Sequence, residues 1–113
     1  QCALADFMAT DPDYLSALAG FYQQKRDVFC AGLATSRFRF TPAQGTYFQL
    51  ADYGLISDRD ERDFCHYLTT EVGVAAIPLE PFYKQPTGGS QLRFCFAKSN
   101  DTLEQALEKL CKL

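Results

Sequence analysis

One arginine lies in the middle of a segment that otherwise resembles a buried β-strand. Arg93 stands between Leu92 and Phe94, in a run of alternating residues from 91 to 97. An unpaired buried charge is very costly, so this guanidinium must reach water or find an anion. Residue type alone favours an exposed arginine or an internal ion pair. The functional interpretation is a planar fork on a rigid strand, which suits a carboxylate bound through two hydrogen bonds.

The other ionisable residues are weaker candidates for chemistry. His66 is the only histidine and lies in mid-helix, where a boundary position is more common than a catalytic one. The acidic residues Asp58, Asp60 and Glu61 are better explained by the favourable interaction of negative charge with the N-terminus of a helix than by a catalytic pair of carboxylates. A Schiff-base lysine needs desolvating surroundings. The sequence places no lysine among apolar residues that would form such surroundings; the five lysines are Lys25, Lys84, Lys98, Lys109 and Lys112.

The five cysteines are odd in number, scattered, and without a CxxC pair. With a single histidine, they offer no spacing for a zinc site. Cys30, Cys65 and Cys111 stand among helical apolar residues, where a free thiol acts as a small hydrophobe. We interpret them as reduced thiols in or near the core of a cytoplasmic protein. A disulfide framework is the less favoured alternative.

Three helices are predicted from periodicity and capping. Residues 1–10 resemble the end of an earlier helix, and the next is expected from Asp11-Pro12 to about residue 36. Its apolar stripe comprises Leu15, Leu18, Tyr22, Phe29 and Leu33. A second helix is predicted from Asp58, with Glu61 completing a capping box and Gly73 ending it. Its buried stripe comprises Phe64, Leu68 and Val72. The stretch Ser99-Asn100-Asp101 is expected to cap the last helix, with Leu103, Leu107 and Leu110 facing the core.

Four strands are predicted at residues 37–40, 46–51, 74–77 and 91–97, with the first two paired. Residues 79–90 are expected to form a loop because of their proline and glycine content. The order of elements predicts an α+β domain, with a small mixed or antiparallel sheet and helices packed mainly on one face.

The bulk composition limits the function classes. With 113 residues, 47% of them hydrophobic, the chain fits one domain with a genuine core. A net charge of −3 and a pI of about 5.0 disfavour nucleic acid and anionic membranes as partners. No apolar run approaches the roughly 20 residues that span a bilayer. The start at Gln1, without Met or a signal peptide, is expected to be an internal cut.

Three blocks of sequence carry a family resemblance: residues 42–48, 71–78 and 92–97. Together, in this order and at these separations, they resemble the C-terminal part of a class I/II aminotransferase of fold type I. The likeness is strongest to bacterial methionine aminotransferases and to kynurenine and glutamine transaminases. It covers essentially the whole chain, which is therefore expected to be the small domain at residues 1–113.

The resemblance implies a homodimer whose large domain holds pyridoxal 5'-phosphate on a lysine outside these residues. It implies that Arg93 binds the α-carboxylate of an amino-acid or 2-oxo-acid substrate, and that Gly45 and Thr46 line the same pocket. The loop after Pro78 would help to select the side chain, with methionine, aromatic amino acids or kynurenine preferred. The isolated chain, which lacks the cofactor lysine, is expected to be inactive.

Two departures from the family pattern affect these expectations. Glu80 stands where many relatives carry a small or hydroxyl residue, and it would disfavour acidic amino acids if it points inward. Thr46 follows Gly45 where many members have a second small residue, so access near the carboxylate would be tighter.

Two other function classes remain open on the sequence. The chain could be a stand-alone α+β module for amino-acid binding or dimerisation, without catalysis. The alternation of Phe94 and Phe96 also resembles an RNA-recognition sheet, although the net charge of −3 argues against that hypothesis.

Overall fold

The computed structural model describes residues 1–85 and 88–113. The helices in these ranges are α1 (Cys2–Thr10), α2 (Pro12–Leu33), α3 (Glu61–Tyr67) and α4 (Asn100–Leu110). The strands are β1 (Phe48–Asp52), β2 (Ile77–Pro78) and β3 (Gln91–Cys95). A π-helical turn, Leu68–Val72, extends α3, and a short 3-10 turn, Glu80–Phe82, follows β2. No helix in the described ranges is long and apolar enough to cross a membrane.

The sheet is antiparallel, with β3 between β1 and β2. Its inner face packs against helices α2, α3 and α4 around one core. The large core side chains are Phe29, Leu33, Phe38, Tyr53, Phe64, Leu68, Leu92, Phe94, Phe96, Leu103, Leu107 and Leu110. The predicted α+β class, with helices on one face, is confirmed. The central strand therefore presents Leu92 and Phe94 to the core and Arg93 to the opposite face.

Local capping explains where the helices begin. The Asp11 carboxylate accepts a hydrogen bond from Tyr14 N at 3.2 Å, and Pro12 occupies the first turn of α2. Ser99 caps α4 through Thr102 N, as predicted. Gly73 ends the π turn with a left-handed φ of 73°, also as predicted.

The predicted capping box is wrong. Helix α3 begins at Glu61, and Asp60, not Asp58, is its N-cap, accepting from Asp63 N at 2.9 Å. Glu61 is buried and bonds to other backbone groups instead. The reason is that a carboxylate at the first turn can satisfy N–H groups of a neighbouring segment as readily as those of its own helix.

The predicted strand at residues 37–40 is also wrong. Only an isolated antiparallel bridge joins Arg39 to Asp52. Arg39 and Asp52 exchange two backbone hydrogen bonds, at 3.0 and 2.7 Å, so the predicted antiparallel pairing to β1 remains at this one position. Just after it, the Gln49 side chain bonds to Thr41 O and Ala43 N, so the pairing does not continue there. The predicted strand 74–77 reduces to Ile77–Pro78, and β3 ends at Cys95.

The N-terminal half of α2 departs from its predicted buried stripe. Phe29 and Leu33 are buried, but Leu15 is 46% exposed, and Leu18 and Tyr22 are only half-buried. The helix ends at Leu33 instead of near residue 36. In the second stripe, Val72 is likewise only half-buried. Pro86, which helped to predict the loop, lies outside the described residues.

Two glycines of α2 give a test of the helix packing. An added Cβ at Gly32 would lie 2.4 Å from Leu107 Cδ1 of α4, whereas a Cβ at Gly20 would meet nothing within 4 Å. Gly20→Ala should raise the free energy of unfolding by about 0.5–1 kcal/mol through helix propensity. Gly32→Ala should have a free energy of unfolding about 1–2 kcal/mol lower than that of Gly20→Ala, because the added methyl group forces Leu107 to shift. Urea denaturation of both variants measures the difference, and equal stabilities would contradict the α2–α4 packing.

Candidate functional site

The outer face of the sheet carries the candidate site. Arg93 is half-buried there, and its cross-strand neighbours are Leu50 on β1 and Ile77 on β2. Leu50 and Ile77 remain 47% and 43% exposed. Phe48 and Cys95, which pair across β1 and β3, lie on the same face by alternation. Arg93 therefore stands among apolar neighbours on an accessible sheet face, whose far end carries the Arg39–Asp52 ion pair.

Two aromatic rings hold the guanidinium of Arg93. Its Cζ lies 4.0 Å from the ring centre of Phe48 and 5.0 Å from that of Phe82. Cation–π contacts of this kind stabilise a charge without neutralising it. The cage thus fixes the position of the guanidinium and leaves its charge available to an anion.

Arg93 has no protein carboxylate as a partner within residues 1–85 and 88–113, where the ion pairs involve other arginines. Its Nε is buried and has no hydrogen-bond partner in those ranges. The alternative of an internal ion pair is therefore wrong for the described residues, and Arg93 is half-buried instead of fully exposed. Because a buried donor without an acceptor is costly, the arrangement is suited to an incoming carboxylate.

Gly45 and Thr46 lie in the turn before β1, where the Thr46 hydroxyl accepts a hydrogen bond from Phe48 N at 3.2 Å. They are exposed and line a cleft against α2, whose wall includes Tyr22 and Arg26 but not Arg93. Thr46 has a left-handed φ of 63°, which is unusual for a β-branched residue. Such strain is most common near functional sites and in tight turns. Phe48 thus links this turn to Arg93, although the three predicted site residues do not line that cleft together.

Gln49 was not singled out by the sequence, but it organises this turn. It is 1% exposed on β1. Its Oε1 accepts from Ala43 N at 2.9 Å and from the Cys30 thiol at 3.4 Å. Its Nε2 donates to Thr41 O and Leu50 O, each at 2.8 Å. All four bonds stay within the fold, so Gln49 is a structural residue that fixes the segment leading to Gly45.

Glu61 was likewise missed as more than a helix-start charge. It is 5% exposed, and its Oε2 accepts hydrogen bonds from Leu79 N at 2.7 Å and Glu80 N at 2.6 Å. Its Oε1 accepts a longer bond from Gln91 N at 3.4 Å. These partners are backbone groups far along the chain, so no sequence pattern marks them. The carboxylate joins α3 to both ends of the loop before β3.

Glu80 does not reach Arg93. Its carboxylate pairs with Arg62 Nε at 3.0 Å on the surface of α3. The side chain of Glu80 is 40% exposed and that of Arg62 67% exposed. An inward-pointing Glu80 was expected to disfavour acidic amino acids, but in this arrangement its carboxylate points to Arg62 instead.

Burial keeps two of the cysteines protonated. Burial raises the pKa of the Cys65 thiol to about 11, with the charge of Glu61 adding to the effect. Burial also raises the pKa of Cys30. No two of the five cysteines are joined in the structure; Cys30 and Cys65 are buried as predicted, whereas Cys111 is exposed and lies outside the core. Within the described ranges, no cluster of side chains could hold a metal ion.

The lysines do not fit a covalent cofactor site. Lys25, the only half-buried one, donates to Lys98 O at 2.7 Å, and the other four are exposed. A Schiff-base lysine requires a desolvating pocket, which none of them has.

The aromatic alternation that resembled an RNA-binding sheet faces inward. Phe94 and Phe96 are 2% and 1% exposed and pack in the core. RNA-recognition sheets need exposed rings on which bases stack. These two phenylalanines are not accessible for that purpose.

The described residues thus form an α+β layer whose open sheet face carries Arg93 between two aromatic rings. The family model for aminotransferase class I and II matches residues 1–110. This chain belongs to the class I and II aminotransferase family.

The similarity to individual proteins extends over the whole chain. A methionine aminotransferase from Escherichia coli is 46% identical over 113 residues, which cover 100% of this chain and 29% of that protein. A probable N-succinyldiaminopimelate aminotransferase from Mycobacterium tuberculosis is 34% identical, again over 100% of this chain and 31% of the relative. A kynurenine–oxoglutarate transaminase from Dictyostelium discoideum is 32% identical over 89% of this chain and 28% of its own length.

Solved structures give the same result for the fold. The crystal structure of YbdL from Escherichia coli, for which a methionine aminotransferase function was identified, superposes with a TM-score of 0.93 at 46% identity. The match covers 98% of this chain and 29% of that one. This chain thus spans less than a third of the relatives that it matches.

The raised pKa of Cys65 predicts a pH dependence of stability. An unfolded thiol loses its proton near pH 9, whereas Cys65 in the folded chain keeps it until about pH 11. Its contribution is present below pH 9 and is lost as the pH rises to 11, so the free energy of unfolding should fall over that window. Urea denaturation at several pH values should show that the free energy of unfolding falls less steeply with pH in Cys65→Ala than in the wild type. In Cys111→Ala it should fall as steeply as in the wild type. Equal slopes in all three proteins would contradict the burial of this thiol.

Proposed function

We propose that residues 1–113 form the substrate-binding small domain of an aminotransferase that passes an amino group from an L-amino acid to a 2-oxo acid. One observation carries the proposal: Arg93 is held between Phe48 and Phe82 without a carboxylate partner in the described chain. Family membership supplies the reaction class. A residue that binds α-carboxylates would be common to donor and acceptor, because both carry that group.

Arg93 would bind the α-carboxylate through two parallel hydrogen bonds. The strand and the two rings hold its guanidinium, so binding would fix the carboxylate and orient the reacting carbon next to it. Leu50, Ile77 and Phe82 surround the guanidinium with apolar surface that would exclude water when the domain closes. In this chain, the contribution to catalysis is binding and orientation.

The preferred donors would be methionine, aromatic amino acids or kynurenine. Apolar residues border Arg93, and the carboxylate of Glu80 is paired with Arg62 away from it. Relatives named methionine aminotransferase and kynurenine–oxoglutarate transaminase are consistent with such donors. We propose that the backbone at Gly45 and Thr46 joins the pocket from the side of the α2 cleft.

The cofactor would be carried elsewhere in the protein. Class I and II aminotransferases depend in general on pyridoxal 5'-phosphate, and the lysines of this chain do not fit a covalent site for it. We propose that a large domain of the same protein holds it, that the protein acts in the cytoplasm, and that it is a homodimer. Exposed apolar side chains on α1 and α2, including Leu4, Met8 and Phe21, support the proposal that a large domain or a second subunit packs against these helices.

Removal of the Arg93 side chain in the whole enzyme tests the proposed function. Arg93→Ala should lower kcat/KM for methionine, phenylalanine or kynurenine by two or more orders of magnitude, roughly 3 kcal/mol or more. Arg39→Ala is the matched control, since Arg39 is already paired with Asp52 at 3.0 Å and is 62% exposed. A wild-type enzyme inactive on every donor, or an unimpaired Arg93→Ala, would leave the non-catalytic binding module as the better account.

The isolated 113-residue chain should neither transaminate nor bind pyridoxal 5'-phosphate at a defined position, because its lysines lack a desolvating pocket. Borohydride reduction after mixing, followed by peptide mapping, should show only scattered, substoichiometric labelling. Stoichiometric modification of a single lysine would show that the chain contains a cofactor site after all.

A further inference from the structure

We propose that Glu61 is a positioning residue, whose carboxylate places Phe82 over Arg93 and so prepares the guanidinium for a carboxylate ligand. This inference rests on the proposed function of Arg93. The two rings that contact the guanidinium, Phe48 and Phe82, are held by different parts of the fold. Phe48 belongs to strand β1, whereas Phe82 belongs to the short turn after β2. The position of Phe82 over Arg93 therefore depends on what fixes the turn Glu80–Phe82.

Phe82 has little side-chain packing of its own to hold it, since it is 61% exposed. Its position follows from the backbone of the turn, in which Phe82 N donates to Leu79 O at 2.9 Å and Tyr83 N to Glu80 O at 3.0 Å. Leu79 and Glu80 are the two residues whose N–H groups bond to Glu61 Oε2. The chain of contacts thus runs from Glu61 through the turn to the ring over Arg93.

Glu61 also contacts the strand that carries the arginine. Its Oε1 accepts from Gln91 N, at the first residue of β3 and two residues before Arg93. One buried carboxylate therefore fixes both members of the Phe82–Arg93 contact relative to each other. Charge-assisted bonds to backbone N–H groups are stronger than neutral ones, so this anchor is stiffer than a neutral side chain would provide.

Glu61→Gln is the informative substitution, because it keeps the size of the side chain and places an amide where a carboxylate accepted three N–H groups. A glutamine has one acceptor oxygen and an NH₂ group that cannot accept a hydrogen bond. At least one of the N–H groups of Leu79, Glu80 and Gln91 then loses its bond. If the amide oxygen takes the place of Oε2, the two turn bonds remain without the negative charge and Gln91 N loses its acceptor; in the other orientation both turn N–H groups lose theirs. In either orientation the turn is held less firmly against β3, so the contact between Phe82 and the guanidinium should weaken.

The experiment uses the whole holoenzyme and two probes of similar shape, 3-phenylpropionate, which has a carboxylate, and 2-phenylethylamine, which has none. Glu61→Gln should raise the dissociation constant of 3-phenylpropionate by about tenfold. It should change that of 2-phenylethylamine by less than about twofold. Glu71→Gln, an exposed glutamate on the π turn that extends α3, is the matched control and should change neither.

A double-mutant cycle separates positioning from general stability. In an Arg93→Ala background, Glu61→Gln should have no further effect on 3-phenylpropionate, because the anchor acts through the arginine. Additive effects, or equal weakening of both probes, would overturn the role of Glu61 and leave Arg93 as the receptor. An Arg93→Ala enzyme that binds 3-phenylpropionate normally would overturn the proposed function itself.

Phe82→Leu keeps the inference testable if Glu61→Gln fails to fold. It removes the ring and leaves the carboxylate and its three backbone bonds in place. It should weaken 3-phenylpropionate selectively. If it does not, the cage is irrelevant to carboxylate binding, and the inference is wrong.

Discussion

The unpaired guanidinium of Arg93 is the constraint on which the site depends. A charge in mid-strand with a buried, unsatisfied Nε is unfavourable in the free domain, and contacts with Phe48 and Phe82 offset only part of that cost. The rest of the structure has to hold the charge without neutralising it. The inner face of β3 does so by anchoring Leu92 and Phe94 in the core, which fixes the backbone between them.

Two buried polar side chains secure the loops at opposite ends of the sheet. Gln49 bonds to the segment that leads to Gly45, and Glu61 bonds to the turn that carries Phe82. Both are nearly inaccessible to solvent, and both bond to backbone groups that would otherwise be unsatisfied. The apolar core thus determines where the sheet lies, while these polar bonds determine where the loops lie upon it.

Features that depend on neighbouring residues could be predicted from the sequence. The caps at Asp11 and Ser99, the left-handed end at Gly73 and the alternation of β3 are local, and the structure has all of them. The position of Arg93 on a strand followed from the same alternation. Its aromatic cage did not, because Phe48 and Phe82 approach it from other parts of the chain.

The main errors involve contacts with other segments of the chain. The strand expected at residues 37–40 is limited to one bridge, because the Gln49 side chain bonds to the backbone that follows it, and Glu61 bonds to N–H groups 18 to 30 residues away instead of those of its own helix. Leu15 has the right period for a buried stripe but is exposed, because burial depends on what packs against a helix. Periodicity identifies which face is apolar, and only tertiary structure shows whether it is covered.

Carboxylate binding by Arg93 is tested most directly by a crystal structure of the whole enzyme with 3-phenylpropionate bound. Both carboxylate oxygens should lie about 2.7–2.9 Å from guanidinium nitrogens of Arg93, with the rings of Phe48 and Phe82 still against that group. A ligand carboxylate bound elsewhere, with Arg93 paired to a carboxylate of the protein, would contradict it.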